Sequence, residues 1–210
     1  MKQNAAAEVL VQQEKHRGYI TSFFLTFFKI YVILKLEIKE GVKRMKILSL
    51  DLSTKSSGWA VFEDTKLIDY GCITASSDDL IKRIHKMVDE LKIIIEKHNI
   101  DKIITEEVRP QGGYGVGNLQ THRALMWLQG ALAMMIHDNF KNLHIDYILP
   151  NSWRAKVGIK TGRGITRTSL KPADIKFVRE TFNIDVNDDV ADAIGVGYAQ
   201  VLENNKPQWS

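Results

Sequence analysis

The sequence predicts an α/β fold: a five-stranded mixed sheet, with a three-strand antiparallel meander plus two parallel strands, flanked by helices. Three observations predict it. Short apolar runs alternate with stretches whose apolar residues recur every three or four positions, the signatures of buried strands and amphipathic helices. The first three strand-like runs follow one another across tight turns, which makes them antiparallel neighbours. The last two are separated by helical stretches, so they join the sheet in parallel through right-handed crossovers.

Taken in order, Met45–Leu52 is a short apolar run, read as a buried strand. Ser56–Phe62 and Lys66–Thr74 are two more, joined by a turn around Glu63-Asp64-Thr65. Asp78–His98 carries Leu80, Ile81, Ile84, Met87, Val88, Leu91, Ile94 and Ile95 at helix spacing, with Ser77 or Asp78 as N-cap. Asp101–Val108 is the fourth strand. Arg109–Asn118 is a loop with four glycines that do not form the G-x-G-x-x-G nucleotide fingerprint. Leu119–Asn139 is an apolar helix in which Trp127 reads as core. Leu143–Leu149 is the fifth strand, ended by Pro150. Helices follow near Ser152–Val157, Thr168–Phe182 and Asp188–Glu203. The order is βββαβαβααα.

Composition narrows the class. A chain of 210 residues, 44% hydrophobic and 26% charged, buries an ordinary core and is neither collagen-like nor disordered. Its one cysteine, Cys72, cannot form an internal bridge, which suits a reducing cytoplasm. A net charge of +4 and a pI near 9.0 invite a nucleic-acid partner. The excess is unevenly placed, however. Residues 1–44 hold eight bases and four acids, whereas 45–210 hold 21 of each. The leader also contains Tyr19–Leu36, an 18-residue apolar run interrupted by Lys29. A central lysine disfavours membrane insertion by roughly 2.5–3.5 kcal/mol. Residues 1–44 are therefore read as an N-terminal extension or as translation upstream of a true start at Met45. Lys39-Glu40-Gly41, which a purine-rich ribosome-binding stretch can encode, precedes that methionine. The domain is placed at 45–205, with 206–210 as a tail, and no membrane partner is expected.

Three places put acids where a core would not want them. Asp51 ends an apolar strand, Glu106 and Glu107 close DKIITEEV, and Asp188, Asp189 and Asp192 open the otherwise apolar DDVADAIGVGYA. Asp189 and Asp192 are three apart and project from one helix face. If the first and fourth strands are neighbours, Asp51 lies beside one of the Glu pair, and a helix across the sheet can deliver both aspartates there. Four carboxylates at one point repel each other, and divalent cations resolve the repulsion. Oxygen-only donors select Mg²⁺ or Mn²⁺. Two such ions about 3.5–4 Å apart activate a water and stabilise the leaving oxygen of a phosphodiester. Taken singly, these acids also read as helix caps or strand ends.

Residues 45–205 resemble the RuvC family of Holliday-junction resolvases, within the RNase H-like nucleases, in the compact form found in phages of low-GC bacteria. The resemblance is carried by MKILSLDLSTKSSGWAVFED (45–64), IITEEV (103–108) and DDVADAIGVGYA (188–199). It implies an RNase H-like fold. It also implies that Asp51, Glu106, Asp189 and Asp192 are the catalytic, metal-binding residues, with Mg²⁺ as cofactor, two ions, and Mn²⁺ as substitute. It implies a homodimer that binds four-way DNA junctions and makes paired symmetric nicks in the cytoplasm. Junction-contacting bases are then expected between the fifth strand and the last helix. There Arg154, Lys156, Lys160, Arg163, Arg167, Lys171, Lys176 and Arg179 face one acid, Asp174. Such a segment suits the phosphate backbone, although a solvated helix face reads the same way. By motif position, Arg154 and Lys171 resemble the family's two junction-contacting lysines.

This sequence departs from the family three residues after Glu106. Where an aromatic is common, it has Arg109, and Tyr114 in the following loop is then expected to supply a stacking plane. His122 and His137 are isolated and lack metal-ligand spacing. The alternative function is an RNase H-like nuclease acting on flaps, other branched DNA or RNA–DNA hybrids. An actin-like ATPase would need a second such domain, and a non-catalytic scaffold would have no use for four carboxylates.

Overall fold

The computed structural model describes residues 44–108 and 116–205. The strands are β1 (Lys46–Asp51), β2 (Ser56–Glu63), β3 (Lys66–Thr74), β4 (Lys102–Glu106) and β5 (Ile145–Ile148). The helices are α1 (Leu80–His98), α2 (Val116–Asn139), α3 (Pro150–Lys156), α4 (Arg167–Phe182) and α5 (Asp188–Asn204). The sheet order is β3-β2-β1-β4-β5. The pairs β1–β2 and β2–β3 are antiparallel, and β1–β4 and β4–β5 are parallel. This is the meander plus two parallel strands that the chain order predicts. The expected extension, Arg109, Tyr114 and the C-terminal tail lie outside the described residues, as does the side chain of Arg167.

Strand alternation divides the core into two layers. On one face, Leu48, Leu50, Val61 and Ile103 pack with Met87 and Leu91 of α1 and Leu128 and Leu132 of α2. On the other, Ile47, Ala60, Phe62 and Ile104 pack with Trp153 of α3, Val178 of α4 and Val190, Ile194 and Val196 of α5. Asp51 follows Ile47 and Ser49 in period two, and Glu106 follows Ile104. Both acids therefore belong to the face that α5 covers. Buried Ser49 is satisfied by donating to the Ala60 carbonyl (3.2 Å), and Thr105 by donating to that of Leu50 (3.1 Å).

Helix ends follow local chemistry. The N-cap of α1 is Asp79, not Ser77 or Asp78. Its carboxylate accepts from the amides of Ile81 (2.8 Å) and Lys82 (3.3 Å), so the helix begins at Leu80 rather than at Asp78. Asn99 and Asn183 close α1 and α4 in the left-handed region, at φ 52° and 57°. Trp127 is also corrected. It lies on the outer side of α2, 47% exposed, with the Arg123 guanidinium 5.3 Å from its ring centroid. Helix α2 is apolar almost all round, so periodicity could not decide which side faces the sheet.

Candidate active site

The site is built by seating α5 directly on the sheet. Asn187 caps the helix by accepting from the Val190 amide (3.0 Å), which starts the first turn at Asp188 and Asp189. A Cβ at position 58 would overlap the Asp189 carbonyl, one at 197 would overlap Ser49 and Phe62, and one at 195 would overlap Trp153. Only glycine at these positions allows so close a contact. Gly58 pairs with Asp51 across β2 and β1, so the same notch that admits the helix sets its first turn beside Asp51.

The parallel register carries Glu106 to the same sheet end. Ser49 pairs with Ile104 and Leu50 with Thr105, which puts Asp51 level with Glu106 one step on. The Glu106 carboxylate accepts from the indole N–H of Trp153, and its backbone carbonyl accepts from Gln129 of α2 (3.0 Å). Asp51, Glu106, Glu107, Arg154, Lys171 and Asp192 all line one cavity of about 490 Å³. Asp189 faces a second cavity of about 850 Å³, which also touches Asp51 and is lined by Lys55, Arg83, His122 and Arg123. Asp51 is thus shared, with Glu106 and Asp192 on one side and Asp189 on the other.

Electrostatics at Asp192 reflect that convergence. Burial raises its carboxyl pKa first, and the neighbouring charge of Asp51 raises it further, with Asp174 adding to both. Arg154 opposes the rise, and the group is pushed up to about 9. For Arg154 itself, burial works against the charged form. The hydrogen bonds of Asp174 and the charges of Asp192, Asp174 and Glu106 outweigh burial and hold its pKa above the ordinary value.

Among the described residues, no three acidic, histidine or cysteine side chains converge closely enough to hold an ion. The carboxylates are engaged by neighbouring donors instead. Ser56 donates to Asp189, and Arg154 donates to Asp192 (3.3 Å) while standing 3.7 Å from Glu106. The donor set still fits a hard divalent cation. It is all oxygen, and Asp51 and Asp192 face each other with a repulsion that an ion between them would relieve.

The expected DNA-contacting residues are placed unevenly. Arg154 is not on an open surface but 7% exposed, and Asp174 binds it through two N–H groups. Lys171 lines the carboxylate cavity, half-buried, and pairs with Asp188. Lys160 and Arg163 are exposed, in the connection between α3 and α4. Lys156 points away from the site, toward Glu203 at the far end of α5. Sequence reasoning missed Trp153, Ser56, Gly58 and Gln129 as parts of the site. It counted Asp174 only as one acid among eight bases, although a lone acid in such a run marks an internal partner.

The sequence model of the family described as crossover junction endodeoxyribonuclease RuvC matches residues 47–198. The RuvC of Aliarcobacter butzleri (strain RM4018) is 30% identical over 102 residues, covering 47% of this chain and 63% of that protein. The RuvC of Campylobacter concisus (strain 13826) is 29% identical over 96 residues, covering 44% and 58%. The matched stretch spans less than two thirds of either relative. Among solved structures, T. thermophilus RuvC in complex with a Holliday junction substrate superposes with a TM-score of 0.61 at 11% identity. That match covers 76% of this chain and 94% of that one. The yeast mitochondrial Holliday junction resolvase Ydc2 gives 0.54 at 12% identity, covering 77% and 82%. At such identities the superpositions establish the fold, which is RNase H-like. Because the family match runs from the first strand into the last helix and takes in all four carboxylate positions, this chain belongs to the RuvC family.

Proposed function

We propose that this protein is a metal-dependent, structure-selective endodeoxyribonuclease that resolves four-way DNA junctions by paired symmetric nicks. The observation that carries the reading is the gathering of Asp51, Glu106 and Asp192 at one cavity, with Asp189 on the other side of Asp51, in a chain of the RuvC family. Asp51, Glu106, Asp189 and Asp192 would hold two Mg²⁺ ions, with Mn²⁺ as substitute. Bound there, the ions supply an activated water and charge stabilisation for the leaving oxygen. Asp51 lines both cavities and would contribute its carboxylate to the ion site. Ser56 fixes the Asp189 carboxylate and Trp153 fixes that of Glu106, so both enter the reaction already oriented. Lys171 and Arg154 meet phosphate oxygens inside the cavity, while Lys160 and Arg163 follow the backbone outside it, and Arg167 is a further phosphate ligand. Arg109 and Tyr114 contact the junction centre as phosphate ligand and stacking plane.

Paired nicks need paired sites, so the working form is a homodimer. Leu119, Met126, Trp127 and Met134 of α2 are each about half exposed or more, which supports α2 as the face between the two copies. No helix among the described residues is long and apolar enough to cross a membrane, and the protein acts on DNA in the cytoplasm. The nuclease domain is placed from Met45, just ahead of the family match at residues 47–198.

One gel tests the reading. A labelled four-way junction, a Y-fork, a linear duplex and an RNA–DNA hybrid are incubated with the protein and either Mg²⁺ or EDTA. Symmetric paired nicks confined to the junction, and absent in EDTA, are expected. Preferential cutting of the hybrid or the fork would replace the reading with a nuclease of other specificity.

A further inference from the structure

Arg154 and Asp174 form a solvent-excluded ion pair in the wall of the carboxylate cavity. Asp174 is 0% exposed and Arg154 is 7% exposed. Arg154 Nε lies 3.1 Å from each Asp174 oxygen, and Nη2 donates to Oδ2 at 2.8 Å. This is the two-point geometry that a carboxylate imposes on one edge of a guanidinium. The remaining Nη2 proton reaches Asp192 (3.3 Å), and the guanidinium carbon lies 4.2 Å from the Trp153 ring centroid. Position and tilt of the group are therefore fixed. The edge left outside the Asp174 clamp is Nη1, which forms a longer ion pair with Glu106. This nitrogen stands 3.7 Å from Glu106 Oε1 and makes no hydrogen bond among the described residues.

A buried ion pair is by itself weak evidence of a stabilising role. Replacing a buried ion pair by apolar groups of similar volume is often neutral or stabilising. What it supplies is direction. A lysine carries one compact charge, which Asp174 and Asp192 would capture completely. An arginine has two usable edges and can be held by one while presenting the other. Helices α3, α4 and α5 bring Arg154, Asp174 and Asp192 together, and α4 also carries Lys171 into the cavity lining.

We infer that Asp174 is a positioning residue of the active site, which clamps Arg154 so that Nη1 is presented as a fixed donor to a non-bridging oxygen of the phosphate being cleaved. The inference rests on the junction-cleavage reading above and adds a residue to it. Pre-oriented donors of this kind act on developing charge and cost no reorganisation during the reaction.

The test is single-turnover nicking of a labelled four-way junction in Mg²⁺, with junction binding measured separately in EDTA. Asp174→Asn is expected to slow nicking at saturating protein by about 10²-fold, the loss that follows a misplacement of about 1 Å. Binding in EDTA should stay near wild type, a split that a merely structural role would not produce. Arg154→Lys should lose at least as much, and the double variant should be no slower than Arg154→Lys alone, since Asp174 acts through Arg154. Should Asp174→Asn fail to fold, the paired swap Arg154→Met with Asp174→Leu keeps the core filled. It is expected to melt near wild type and still nick about 10²-fold more slowly. Near wild-type nicking by Asp174→Asn or by the paired swap overturns the inference and leaves the junction reading standing. Losses that multiply in the double variant do the same. A wild-type protein that leaves junctions whole while cutting another substrate overturns both.

Discussion

Asp192 concentrates the physics of the site in one side chain. Its ordinary pKa of 3.8 rises to about 9 because it is buried and then faced by Asp51. Between those values the unfolded chain has released a proton that the folded chain retains. Stability from this group is therefore complete below its unfolded pKa and is lost as pH rises toward about 9. Thermal melts in EDTA should show Asp192→Asn gaining on wild type progressively from pH 5 to pH 8. Each 1 kcal/mol is worth about 2–4 °C at this size. Mg²⁺ should raise the wild-type melt at pH 8 more than that of the variant. A flat difference across pH would place the Asp192 proton elsewhere. Asp51→Asn, which removes the carboxylate common to both cavities, should abolish nicking in the gel assay while the junction still shifts in EDTA. Retained cutting would mean that the site is misplaced.

At the scale of elements, the decisive feature is how closely α5 lies on β2. Gly58→Ala drives a methyl group into the Asp189 carbonyl, and backbone cannot rotate away as a side chain can. The variant should lose about 1–3 kcal/mol of stability, the usual range for overpacking. It should also lose nicking out of proportion, because the helix start carrying Asp189 and, one turn on, Asp192 must lift off the sheet. Melting and single-turnover nicking, measured together, check both. Nicking that falls only as far as stability explains would mean that the helix start adapts without moving the carboxylates.

For the whole molecule, two expectations follow. A chain begun at Met45 retains all five strands and the complete cavity. It should melt and nick as the full chain does, and a large loss in either would give residues 1–44 a role. Trp127→Glu places a charge at the centre of the exposed α2 face. It should convert a dimer to a monomer in sedimentation velocity without lowering the melting temperature, and it should uncouple the two nicks. A monomeric wild type would remove α2 as the dimer face.

The sequence by itself determined the order of strands and helices along the chain, the turn at Glu63–Thr65 and the acids at both strand ends and at the start of α5, whereas the pairing of β1 with β4 was left to the structure. The former are local properties, set by period, turn chemistry and an acid that interrupts an apolar run. It could not place Trp127, because an apolar helix has no marked face, nor choose Asp79 over its neighbours as the cap, since Ser77, Asp78 and Asp79 all have suitable side chains. The tertiary structure alone decided that Arg154 is inside the site and Lys156 outside it, although only one residue separates them on α3. It also decided that Asp174 is Arg154's partner, that Trp153 and Ser56 orient the acids, and that Gly58 admits the helix. Each is a contact between residues 20 or more positions apart in the chain. Such pairings carry no periodic trace in the sequence, because they depend on where whole elements come to rest.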